Sequence, residues 1–216
     1  MGTKKTTVKD ALKPLKDGMT VMIGGFLGVG TPESLIDGII EAGIKDLTLI
    51  ANDTSFPGKG IGKLIEHRRL KAIIVSHTGT NPETQRQIAD GEILARLTPQ
   101  GTLVEQIRAG GAGLGGFLTP VGIGTVVEEG KEKITVKGRE YLLELPLRAD
   151  VALIKAYQAD SYGNLRYRAT AKNFNPVMAT AAEIVIAEVE EFVDEILPDL
   201  VETPALFVDY IVKGER

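Results

Sequence analysis

The 216-residue chain contains no cysteine. That excludes disulfides, zinc–thiolate sites and a cysteine nucleophile. It has only two histidines, His67 and His77, too few for a His-rich metal centre. No apolar run reaches the ~20 residues that a membrane span needs. The first ten residues are polar and carry lysines, with no apolar stretch behind them, so no signal peptide is expected. An excess of positive charge is missing too. The formal net charge is −4, and the one basic cluster, His67-Arg68-Arg69, reads as a solvated helix end. A nucleic-acid binder would carry a basic face. These absences predict a soluble, cytoplasmic protein with no metal and with neither membrane nor nucleic acid as a partner.

What is present suits one domain spanning residues 1–216. Hydrophobic residues make up 43% of the chain, enough for a substantial core, and glycine is abundant at 25 residues. Charged residues are near the average for soluble proteins, which argues against wholesale disorder.

Short aliphatic runs alternate with helix-like stretches. Thr7 and Asp10 give residues 7–16 a capping-box-like helix start. Residues 20–23 are β-rich and run into Gly24 and Gly25. Thr31, Pro32 and Glu33 then open a helix that ends near Gly43: a Thr cap, a proline in the first turn and an acid near the positive end. Further strands are expected at 47–51, 71–76 and 93–98, with helices at 82–90 and 102–108. Strand–helix alternation with apolar strands indicates a mostly parallel, open α/β sheet covered by helices on both faces. After that the pattern changes. Residues 134–136 and 139–144 flank Lys137-Gly138 as a β-hairpin with a tight turn. Strands at 151–156, 165–168 and 184–188 and a helix at 175–182 complete a sheet with an antiparallel addition.

In such sheets the binding crevice is built from loops at the carboxyl ends of the strands. Four loops qualify. The first holds Gly24, Gly25, Phe26, Gly28 and Gly30; the second Asn52 and Asp53; the third runs from Ser76 to Pro82; the fourth holds Pro99, Gln100 and Gly101. A helix after the fourth leads into a further glycine run containing Gly110, Gly111 and Gly113. The first loop does not fit the dinucleotide fingerprint, because its glycines fall in the wrong order, and no Lys-Ser/Thr follows to make a P-loop. Two readings stay open: an anion-receiving turn at a helix start, or a sharp turn with no ligand.

The spacing around that loop is more specific than its glycine content. Asp17, Gly18, Val21, Met22, Ile23, Gly24, Gly25, Phe26, Gly30 and Pro32 resemble, at every fixed position, the signature of the α subunits of coenzyme A transferases. Stretches 47–53, 80–83, 97–102, 107–113, 147–150 and 172–175 agree, so the similarity runs nearly end to end. It is greatest to the acetoacetate-type α subunits and to the N-terminal half of succinyl-CoA:3-oxoacid CoA-transferase.

The resemblance implies a CoA-transferase-like fold and covalent ping-pong chemistry with a CoA thioester as substrate and no permanently bound cofactor. A glutamate forms first a mixed anhydride and then a glutamyl-CoA thioester. In the family that glutamate lies in a Ser-Glu-Asn-Gly stretch of the β subunit, and no such stretch occurs here. A β-subunit partner in an α2β2 tetramer is therefore expected. The glutamates at 128–129 and 188–191 read as solvated surface, and Glu105 as a poor candidate inside a helix. The resemblance makes Gln100 an oxyanion donor, typically worth about 3 kcal/mol of barrier; the bland reading is a loop cap. Phe26 is a pocket wall or a core anchor. Asn52 bonds the acid substrate or holds a turn, and His77 is structural. The glycines at 101, 110, 111 and 113 permit close backbone approach of an acyl group or a partner chain, or simply a flexible loop. The apolar tail 205–212 buries a subunit contact or closes the core. A sugar-phosphate isomerase or deaminase of related fold, using the glycine loop for phosphate, is the alternative function, and a non-catalytic binding module is a third.

Overall fold

A computed structural model describes residues 4–214. Its main sheet is built from the aliphatic runs. β1 (Thr20–Ile23), β2 (Leu47–Ile50), β3 (Leu70–Val75) and β4 (Leu94–Leu97) lie side by side in that order, all parallel. On the other side of β1 come β8 (Ala149–Ala159), β10 (Ala182–Phe192) and β11 (Tyr210–Lys213), also parallel. Strand order therefore reverses at β1/β8. A short β9 (Leu165–Arg166) pairs antiparallel with β8 and makes the eight-stranded sheet mixed.

Alternating side chains along each strand feed two separate cores, as the two-residue period of a strand requires. Val21, Ile23, Leu47, Leu49, Val151 and Leu153 face one way. There they meet α1 (Val8–Ala11), α2 (Glu33–Glu41) and α3 (Ile61–Glu66) through Ala11, Leu35, Ile36, Ile39, Leu64 and Ile65. Met22, Ile50, Ala152, Ile154, Val185 and Ala187 face the other way. There they meet α5 (Gln100–Gly111) and α6 (Asn175–Met178) through Leu103, Ile107, Val177 and Met178. The expected helix cover on both faces is thus present. A remaining helix, α4 (Pro82–Ala89), is capped by Asn81, whose Oδ1 accepts from the Glu83 and Thr84 N–H groups.

The antiparallel addition is a separate sheet. β7 (Arg139–Glu144) pairs with β6 (Lys133–Val136) and, on its other edge, with β5 (Phe117–Thr119). Lys137 and Gly138 both have positive φ, 51° and 79°, the requirement of the tight two-residue hairpin turn expected there. Glu144 ties this sheet to α5: buried, it accepts from Gln106 Nε2 at 2.8 Å and from Lys131 Nζ at 2.6 Å.

Several boundaries differ from expectation. The helix expected over 7–16 ends at Ala11, because Pro14 cannot continue it. The helix expected over 175–182 stops at Met178, and β8 and β10 are each eleven residues long. In the tail, Val208, Ile211 and Val212 are buried and close the core, β11 forms a sheet edge, and Leu206 is exposed.

Candidate active site

The loops after β1, β2, β3 and β4 come together on one rim at the carboxyl ends of these strands. In the first loop, residues 26–29 form a miniature hairpin: Phe26 and Val29 exchange backbone hydrogen bonds of 3.0 and 2.9 Å. Leu27 and Gly28 at its tip have φ of 49° and 84°. A non-glycine residue in the left-handed region costs energy, and here the Leu27 N–H is held by Asp53 Oδ2 at 2.9 Å. The loop is clamped from below. Gly25 N donates to Asn173 Oδ1 at 3.2 Å, and Asn175 Nδ2 donates to the Gly30 carbonyl at 3.0 Å. A Cβ on Gly24 would lie 1.8 Å from Asn175 Oδ1, and one on Gly25 2.2 Å from Thr31 Oγ1. Both glycines are therefore required by packing within the chain.

These contacts separate the two readings of the glycine turn. The N–H groups of Gly24, Gly25, Phe26, Leu27 and Val29 all donate within the protein. Nor is the following helix start open. Ser34 N and Leu35 N donate to Glu188 Oε2 at 2.8 and 3.2 Å, while Glu188 Oε1 accepts from Lys155 Nζ at 2.7 Å. The positive end of α2 already holds an anion, a carboxylate of the chain itself. This corrects two expectations. Glu188 is fully buried, not solvated surface. Thr31 is not the helix cap either; it packs on Gly25, and capping comes from β10.

Gln100 lies at the start of α5, not in a loop as expected, and is exposed. Its Nε2 donates to Asn52 Oδ1 at 2.7 Å. The buried Asn52 also accepts from Ser76 Oγ at 2.9 Å and donates through Nδ2 to Asp53 Oδ2 at 2.8 Å. Three strand ends thus meet in one hydrogen-bonded group. Phe26 is 40% exposed at the rim, so it is no core anchor. His77 is exposed, and only its backbone bridges to Asp53. Glu105 faces solvent in a pair with Arg108.

Not every expected site residue joins this group. Gly101 is exposed beside Gln100, with open space where a Cβ would stand. Gly110 and Gly111 are helical, roughly 15 Å along α5 at 1.5 Å per residue. A Cβ at these positions would meet the Leu147 carbonyl at 1.9 Å and Thr180 Oγ1 at 2.1 Å, so both serve packing within the chain. Gly113 follows the helix with φ of 69° and open space around it. On the same helix, Gln106 accepts from Arg96 at 3.0 Å. Burial lowers the pKa of that guanidinium, and the neighbouring Glu144 charge opposes the shift.

Comparison with known proteins places this geometry. Residues 5–214 match the family described as coenzyme A transferase. The chain belongs to the coenzyme A transferase family. The acetate CoA-transferase subunit alpha of Escherichia coli K12 is 55% identical over 218 residues, covering 100% of this chain and 99% of the relative. The acetoacetyl-CoA:acetate/butyrate CoA transferase alpha subunit of Clostridium acetobutylicum is 54% identical, covering 92% of each. Among solved structures, glutaconate coenzyme A-transferase from Acidaminococcus fermentans superposes with a TM-score of 0.84 at 22% identity, over 98% of this chain and 75% of that one. An acyl-CoA transferase from E. coli O157:H7, solved as a thioester complex with CoA, gives 0.87 at 23% identity over 99% of this chain and 47% of that one. These two share the CoA-transferase fold.

Four residues hold this transferase's rim together: Asp53 and Ser76, which the sequence places in the crevice loops without a role, and Asn173 and Asn175, which it places only within a stretch of family resemblance. Asp53 and Ser76 are small polar residues just after strand ends, the one signal that could have singled them out, whereas Asn173 follows a short 3-10 turn and Asn175 opens α6. The partners that tie them into the rim are 20 to 148 positions away in the chain, which no local pattern reveals. No helix among the described residues is long and apolar enough to cross a membrane.

Proposed function

We propose that this transferase chain is the α subunit of an enzyme that moves CoA between a short-chain acyl-CoA and a carboxylic acid, and that a β subunit supplies the nucleophile. One observation carries the reading. The rim offers an exposed amide donor, Gln100, while the four buried carboxylates of the described residues are all engaged. Asp53 accepts from Leu27 N, Ser55 N and Asn52; Glu144 and Glu188 are ion-paired; Asp160 caps the turn after β8. A donor waits here without an attacking group.

The chemistry then runs in balanced steps. A partner glutamate adds to the thioester carbonyl, and the carbonyl oxygen takes the negative charge. Collapse expels CoA as thiolate and leaves a mixed acyl–glutamyl anhydride. The thiolate attacks the glutamyl carbonyl, releases the first acid as carboxylate and forms glutamyl-CoA. A second carboxylate reverses the sequence. Thioester energy is conserved throughout, and CoA enters as substrate, not as a resident cofactor. An uncharged amide suits the oxyanion: it donates without titrating and does not compete as nucleophile. One such donor is worth about 3 kcal/mol. Exposed Phe26 and Gly101 line the approach to it, and buried Asn52 holds it from behind. The groups in the relatives' names, acetate, butyrate, acetoacetyl-CoA and succinyl-CoA, set the substrate class. We assign an α2β2 assembly in the cytoplasm.

The sugar-phosphate alternative needs a phosphate cradle, and both candidates for it are filled by the chain's own acceptors. The test mixes this chain and its mate with acetoacetyl-CoA and labelled acetate. Labelled acetyl-CoA is expected from the pair and from neither chain alone. Isomerisation of a sugar phosphate by this chain on its own would sink the reading.

A further inference from the structure

We propose that Asp53 and Ser76 are positioning residues that decide which end of the Gln100 amide faces Asn52. The proposal rests on the reading of Gln100 as the oxyanion donor. A carboxamide has an acceptor end and a donor end of nearly the same shape, so the neighbours must set its direction. Asp53 is a carboxylate and can only accept. Its Oδ2 lies 2.8 Å from one end of the Asn52 amide, so that end has to be the NH2 group. The other end, Oδ1, then faces away from Asp53 as an acceptor. Gln100 Nε2 donates to it at 2.7 Å, and Ser76 Oγ shares its one proton between it at 2.9 Å and the Asn52 backbone carbonyl at 2.8 Å. Gln100 is thereby forced to approach with its own NH2.

Asp53 is fixed in turn. Ser55 N holds its Oδ1 at 2.7 Å and Leu27 N its Oδ2 at 2.9 Å. The sequence of polarity thus begins at backbone N–H groups, one of them in the left-handed tip of the glycine turn, and ends at the exposed rim. It gives that turn a role: it presents Leu27 N–H to Asp53. At the rim, one Gln100 N–H is used by Asn52. The other lies in the amide plane and has no protein partner among the described residues. Inverting the amide would put its oxygen against Asn52 and shift the donor by the width of the group, roughly 2 Å, where a displacement of about 1 Å can cost ~100-fold in rate.

The experiment is a double-mutant cycle in the assembled two-chain enzyme, reading kcat and KM for CoA transfer from acetoacetyl-CoA to acetate. Asp53→Asn gives position 53 a donor end and frees Asn52 to invert. We expect kcat to fall about tenfold or more, with KM for acetoacetyl-CoA within about twofold, and the loss to disappear in Asp53→Asn/Gln100→Ala. Ser76→Ala removes one donor without removing charge, and covers the case in which the Asp53 variant does not assemble. Its expected loss is about threefold to tenfold, again absent beside Gln100→Ala. A purely structural role predicts multiplicative losses; seeing them, or wild-type kcat in both positioning variants, overturns the proposal while leaving a slow Gln100→Ala intact. Wild-type kcat for Gln100→Ala itself overturns the donor reading beneath it.

Discussion

A carboxylate shut away from water must be matched by donors, and Glu188 has three: the Lys155 ammonium and the Ser34 and Leu35 N–H groups. Truncating it leaves a largely buried cation, its side chain 15% exposed, and two bare helix-end donors together. Glu188→Ala is therefore expected to destabilise the chain by roughly 3–5 kcal/mol, the usual cost of breaking a buried pair, whereas exposed Glu191→Ala should stay within about 0.5 kcal/mol. Urea unfolding of the two variants side by side measures the contrast, and equal midpoints would refute it. The pair also marks what one-dimensional reading misses. Residues 188–191 look like a solvated charge run because their composition is polar. What buries Glu188 is Lys155 on the neighbouring strand and a helix start 154 positions away. Gln100 and Asn52, by contrast, were legible: each sits at a strand end, and the structure bonds them to each other. Their orientation was not, because it depends on Asp53 and Ser76 across the rim.

Helix α5 carries one glycine proposed for the site and one that packing requires, and the two can be told apart. Gly101 has open space around a would-be Cβ, and Gly110 has the Leu147 carbonyl at 1.9 Å. Alanine is a better helix former than glycine by up to about 1 kcal/mol. Gly101→Ala should thus hold or raise the melting temperature yet lower turnover, since its methyl projects beside the Gln100 donor. Gly110→Ala should lose stability by about 1–3 kcal/mol through overpacking, with turnover falling only as folded enzyme is lost. Thermal melts and kcat on the same samples check both, and full activity in Gly101→Ala would remove that glycine from the site. The elements that were legible share a physical cause. β1 to β4 are short β-branched or aliphatic runs bounded by polar or turn-forming residues, and they appear within a residue or so of expectation. Those missed have no periodicity to show. α3 is six residues long after a Pro/Gly-rich stretch, and β5 is three residues after a glycine run. The capping of α2 was misread because its acceptor comes from β10, not from Thr31.

At the scale of the whole molecule, the rim is open where the proposed chemistry demands closure. A mixed anhydride survives only if water is kept out, and Gln100 is exposed. Phe26, Val29, Phe56 and Leu97 are exposed apolar residues in the loops and strand that build this rim, and grouped exposed apolar surface marks an interaction site. A β subunit that covers them would dry the site and bring the carboxylate within reach of the donor in one step. Backbone hydrogen exchange should therefore slow around residues 26–29 and 98–102 when the partner is added, before any substrate. After acetoacetyl-CoA and a denaturing quench, a CoA adduct should appear by intact mass on the partner and not on the 23.2 kDa chain. An adduct on this chain would place the nucleophile on one of its own carboxylates and overturn the assignment of that role to the partner. Unchanged exchange at the rim would mean that the partner binds elsewhere and that the exposed amide never reaches a dry thioester.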